Sequence, residues 1–217
     1  MITSARVNWL ELDRSPHAVQ FYSGEDFFLD SGARFISTAL GAGNSAMTIA
    51  TQVHRDGIAE RLKALGVDTE GAVRKGRYVT VEPTQLIVQL VVDGQLSRIR
   101  FDEFLHQFML PLRAAAESER PLVAVFGELV GMLWANGEAE TAIELEHFWN
   151  ELSSQGSYCF RCLYPIASFS DPAQSELFMK LCAEHASTIP ADSHVASAEQ
   201  DPLRRLTARV TQLENAA

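Results

Sequence analysis

The chain has 217 residues, 47% of them hydrophobic and 21% charged, which suits one domain with a substantial core. A formal net charge of −10, with lysine only at positions 63, 75 and 180, excludes the clustered basic footprint of a nucleic-acid binder. No apolar run reaches the ~20 residues that span a bilayer, the start lacks a signal-peptide pattern, and three cysteines do not make a disulfide scaffold, so a cytoplasmic protein without membrane contact is expected.

Residues 1–15 read as a polar lead-in. Residues 17–22, HAVQFY, form a strand candidate, and Ser23 with Asp26 three positions on supplies a capping-box pattern for a helix over 25–40 ended by Gly41 and Gly43. A buried strand follows at 46–50, then an amphipathic helix at 54–65 closed by Gly66, then a strand at 77–81. Pro83 suits the first turn of a helix running through Leu86, Ile87, Leu90 and Val91 to Asp93-Gly94, and residues 101–119 read as a longer helix with a kink or break at Pro111.

The apolar run 122–126 breaks at Gly127-Glu128 into a helix that reaches Trp134, so a buried strand delivers a carboxylate into a strand-to-helix turn. After Asn136-Gly137 a second helix carries Ile143, Leu145, Phe148, Trp149 and Leu152 on one side and Glu144, Glu146, His147 and Glu151 on the other. A strand at 158–164 and a helix at 174–186 complete the order, with Ile189-Pro190 as its stop. Strand alternating with helix predicts an α/β fold of three layers, a mostly parallel sheet with helices on both faces. Residues 191–201 turn small and polar. Leu203, Leu206, Val210 and Leu213 then form a short apolar seam, read equally as a helix docked on its own domain or a coiled coil pairing two copies.

A phosphate-gripping loop is missing, because none of the three lysines stands in GxxxxGK[ST], and HExxH and GxSxG are missing too. Cys159-Phe160-Arg161-Cys162 is formally a CxxC, but inside a strand its two thiols point to opposite faces. Glu144-x-x-His147 is a single copy on an exposed face, where a salt-bridging pair is the simpler reading than a metal site. Neither metal nor cofactor is therefore expected. His17, Glu128 and His185 each border an apolar segment at an element end, where side chains converge on pockets, and Tyr22, Trp134 and Tyr164 add aromatic walls. Trp149 belongs to the packing stripe.

Taken together, His17-x-x-x-Phe21-Tyr22, Ile49-Ala50-Thr51 with His54-Arg55, Val92-Asp93-Gly94, Phe126-Gly127-Glu128, Leu133-Trp134, EHFWNEL from Glu146, Cys162-x-Tyr164-Pro165 and Cys182-Ala183-Glu184-His185 resemble the MEDS sensory domain across residues 16–195. The resemblance implies a RecA/KaiC-like domain without its ATP-binding loop, in a prokaryotic signalling protein that senses small hydrocarbon derivatives. It implies no catalysis. A small-molecule ligand is expected among His17, Tyr22, Glu128, Trp134, Cys162, Tyr164 and His185, with residues 196–217 relaying its binding to a histidine kinase or other signalling protein. The alternatives are an interaction scaffold with no small ligand, a vestigial nucleotide binder, and an enzyme using Cys162 and His185.

Overall fold

The computed structural model describes residues 15–190. In chain order these form β1 (His17–Tyr22), α1 (Glu25–Gly41), β2 (Ser45–Ile49), α2 (Gln52–Ala64), α3 (Thr69–Arg74), β3 (Tyr78–Val81) and α4 (Pro83–Leu90). Next come β4 (Val91–Val92), β5 (Gln95–Leu96), α5 (Arg98–Phe104), a π-helical turn (Leu105–Met109) and α6 (Leu110–Ala115). The last part holds β6 (Val123–Gly127), α7 (Leu129–Ala135), α8 (Ala139–Ser153), β7 (Tyr158–Pro165), α9 (Ser175–Ala183) and β8 (Ser187–Ile189). Six strands pair in parallel in the order β3-β2-β6-β7-β1-β8. The expected lead-in and C-terminal seam lie outside the described residues.

Alternation along each strand builds two cores, one on each face of the sheet. In β7, Cys159 and Leu163 join Ala124, Phe126 and the α1–α2 residues Phe28, Phe35, Ile36, Ile58 and Leu62. Tyr158, Phe160, Cys162 and Tyr164 face the other way, into Leu86, Phe101, Phe104, Leu129, Leu133, Leu145 and Trp149. The two cysteines of the CxxC thus lie in different cores, as strand geometry requires. The three-layer α/β fold is the one the alternation of elements predicts.

Local chemistry changes four of the predicted elements. Gly24, one residue beyond the expected Ser23, is the N-cap of α1. The helix from Pro83 stops at Leu90, because Asp93 (φ 52°) and Gly94 (φ 78°) take the two left-handed positions of a tight hairpin turn joining β4 to β5. At Pro111 the helix is distorted, not broken. The proline lacks the N–H that an unbroken α-helix would use, and the π turn just before it, with Leu110 N–H donating to Leu105 O, carries the helix on to Ala115. The stop at Ile189 is a strand, β8, laid on the edge of β1.

Candidate functional site

The functional geometry starts from α8. Its inward stripe is Ala142, Leu145, Glu146, Trp149, Leu152 and Ser153, the spacing of a core-facing helix, and Glu146 occupies one of those positions. Its assignment to the polar face is thereby corrected: Glu146 is wholly buried, while Glu144, His147 and Glu151 remain outside. A buried carboxylate persists only where it is paired and hydrogen-bonded. The partners come from three other elements.

Tyr164 of β7 donates its hydroxyl to Glu146 Oε1 at 2.7 Å, and His17 of β1 donates from Nε2 to Oε2 at 3.0 Å. His185, between α9 and β8, brings Nε2 to 3.4 Å from Oε2, its Nδ1 donating to Leu181 O at 2.8 Å. Cys162 Sγ lies 3.5 Å from His17 Nε2. The strands place these groups by register: His17, Val19 and Phe21 of β1 sit beside Phe160, Cys162 and Tyr164 of β7, all on the α8 side.

Burial opposes the charge on Glu146, yet His185 and His17 overcome it and hold the carboxyl below the usual range. Burial would likewise lower His185, and Glu146 outweighs it and raises the imidazole. Cys162 and Tyr164 are pushed well above their ordinary values by burial, with the Glu146 charge adding to it. A void of about 20 Å³, room for about one water, abuts Cys162 and is walled by Ile49, Val125, Leu129, Trp149 and Phe160.

Glu128 anchors a second cluster, on the α1–α2 side. It accepts from Thr51 N–H at 2.7 Å and from His54 Nδ1 at 2.8 Å, joining the β6–α7 turn to the start of α2. His54 lies over Phe28 with ring centroids 4.2 Å apart, and Tyr22 meets the same phenylalanine edge-on. Burial, followed by the charges of Glu128 and Glu25, pushes the Tyr22 hydroxyl up to about 12.

The hydrogen bond to Glu128 raises the His54 imidazole from its ordinary value of 6.5, against an opposing effect of burial. A raised histidine contributes stability below its unfolded value and loses that contribution as pH rises through the folded one. Denaturant midpoints measured from acid toward alkaline pH should therefore fall above about pH 6.5, and His54→Gln should remove part of that fall. An unchanged profile in the variant would contradict the ion pair.

The seven expected site residues therefore do not form one pocket. His17, Cys162, Tyr164 and His185 converge on Glu146; Tyr22 and Glu128 belong to the His54 cluster. His17 and Tyr22 are five residues apart in one strand, which separates them by about 16 Å and points them to opposite faces. Trp134 is core, edge-on to Tyr164 with its Nε1 donating to Gln174 at 3.1 Å. Glu146 and His54 were missed as site residues, the first because a charge was read as exposed despite its stripe position.

Four buried side chains of metal-ligating type, from β1, α8, β7 and the α9–β8 turn, meet here without any local spacing in the sequence. No helix among the described residues is long and apolar enough to cross a membrane. A comparison with curated proteins gives no match. Residues 16–179 match the family model of MEDS, described as the MEthanogen/methylotroph, DcmR Sensory domain, and the chain belongs to that family of sensory domains.

Proposed function

We propose that this sensory domain acts without catalysis, taking a small, mainly apolar ligand at the buried Glu146 cluster and passing the change to its C-terminal segment and a histidine kinase or other signalling protein. The observation that carries the reading is the buried cluster itself, two imidazoles and a thiol around one carboxylate, with a small, mainly apolar void bordered by Cys162. Such a void favours a ligand of very few heavy atoms, or one that opens it by displacing Leu129 or Trp149. Catalysis by Cys162 is disfavoured because its thiol is buried and pushed up, far from the reactive thiolate an enzyme needs.

His185 supplies the path outward. It sits on the arm formed by α9 and β8, and β8 holds the sheet edge through only three residues, 187–189, paired with 18–20 of β1. A ligand that prefers one position of His185 shifts that arm, and through it residues 191–217.

Thermal-shift screening of small alcohols, amines and halogenated hydrocarbons tests this. A ligand at about 100 times its Kd adds about 2.7 kcal/mol, a rise of several degrees for a domain of this size. Stabilisation that survives Cys162→Ala and His185→Ala unchanged would move the ligand elsewhere. The interaction-scaffold reading has its own support: Val88 and Ile99 are exposed, and a groove of about 430 Å³ runs between Val88, Val92, Arg100 and Phe104. Partner binding abolished by Val88→Asp, with no small-molecule response anywhere, would favour it.

A further inference from the structure

His17, His185, Cys162 and Glu146 each offer one ligating atom, and the four atoms lie within 4.8 Å of one another in a buried space. A four-coordinate zinc ion holds nitrogen at about 2.0–2.1 Å and sulfur at about 2.3 Å, which sets neighbouring ligand atoms about 3.3–3.6 Å apart. Three of the six separations are 3.0 Å from His17 Nε2 to Glu146 Oε2, 3.4 Å from His185 Nε2 to the same oxygen, and 3.5 Å from His17 Nε2 to Cys162 Sγ, and the other three stay within 4.8 Å, so small side-chain shifts close the site on an ion. The geometry points to a divalent transition-metal site made by these four side chains, with zinc the ion that fits best.

The surroundings of the four ligands are built for that role. His185 Nδ1 donates to Leu181 O, so its buried Nε2 aims into the cluster, where its nearest polar neighbour is Glu146 Oε2 at 3.4 Å, a contact without good hydrogen-bond geometry. A lone pair aimed at a carboxylate oxygen is unfavourable unless a proton or a cation lies between them. Metal-bound histidines commonly donate their other N–H to a backbone carbonyl, and metal-bound carboxylates are themselves hydrogen-bonded, as Tyr164 does here for Glu146. Imidazole with thiolate suits zinc among the available ions.

Charge balances as well. One thiolate and one carboxylate neutralise a divalent cation, which removes the cost of a net charge in a buried site. Binding displaces the Cys162 thiol proton and moves the His17 proton from Nε2 to Nδ1. His17 Nδ1 is buried without a partner among the described residues, and there the outer support of the site is incomplete. The inference deepens the sensory reading, since a metal beside the void would give a small ligand its anchor, but it stands on ligand geometry alone.

Cobalt(II) titrated into the chelator-treated full chain tests it. A single cobalt per chain should bind, with the intense visible bands of a tetrahedral site and a thiolate-to-cobalt charge-transfer band in the near ultraviolet, all lost on adding zinc. Cys162→Ser should remove the charge-transfer band, whereas Cys159→Ser, on the opposite face of the sheet, should keep it. Tyr164→Phe leaves all four ligands in place and should weaken binding by about 10–100-fold; circular dichroism separates misfolding from lost ligation. Absence of the charge-transfer band in the wild type, or its persistence in Cys162→Ser, overturns the site. Cobalt binding without any small-ligand response keeps the metal and removes the sensing proposal; a ligand response with no cobalt band does the reverse.

Discussion

Glu146→Ala, measured by denaturant unfolding in the presence of a chelator, is expected to destabilise the domain by about 3–5 kcal/mol. The substitution removes one carboxylate and with it the acceptor of the buried Tyr164 hydroxyl, the oxygen partner of His17 Nε2 and the negative charge 3.4 Å from His185 Nε2. Each buried group left without its partner costs its own desolvation, typically about 1–3 kcal/mol. For a domain of this size the loss corresponds to a drop in Tm of roughly 6–20 °C. Glu146→Gln keeps the volume and an acceptor for Tyr164, so it should fall between alanine and the wild type. A cost under about 1 kcal/mol for alanine would mean that Glu146 is exposed as its charge suggests.

The second large effect is expected at Gly131 in α7. A Cβ there would run into the backbone oxygen of Leu163 and meet Pro165 Cδ at 3.4 Å, so helix and strand approach as closely as a missing side chain allows. Alanine is the better helix former by up to about 1 kcal/mol, and in an open site Gly131→Ala would stabilise. Here the neighbour is backbone in the middle of the sheet, which cannot give way cheaply, and a net loss of about 1–3 kcal/mol is expected. Unfolding measurements decide it, since a gain in stability would show that α7 sits further from β7. Because β7 also carries Cys162 and Tyr164, the same variant should disturb the cluster.

Much of the frame was legible in the sequence wherever periodicity and punctuation agreed. The strands β1, β2, β6 and β7 are short apolar runs bounded by turns, and Gly66, at φ 75°, closes α2 as its position predicts. The hairpin at Asp93-Gly94 carried a recognised turn signal, but the apolar spacing that led into it masked the change of element. β8 has three residues and is a strand only because β1 offers it an edge, a tertiary cause that no local pattern announces.

The site was half legible. His17, Cys162, Tyr164 and His185 were identifiable as unusual residues at element ends. What joins them is Glu146, and its meaning depends on which neighbours a helix face meets after folding. Two clues were available in the chain: the stripe 142, 145, 146, 149, 152 places Glu146 with the core, and the odd spacing of His17 and Tyr22 forbids a shared pocket. The split into two clusters also moves the expected sensing centre from the Glu128 turn toward the middle of the sheet, on its α8 face.

Hydrogen exchange across the whole chain, with and without a ligand found by thermal screening, tests the central claim most directly, because it locates the response as well as detecting it. The account predicts changed protection in residues 181–189 and in the β1 and β7 segments around His17 and Cys162. Protection that changes only at the Glu128–His54 turn or along the α4–α5 groove, with 181–189 unaltered, would contradict it.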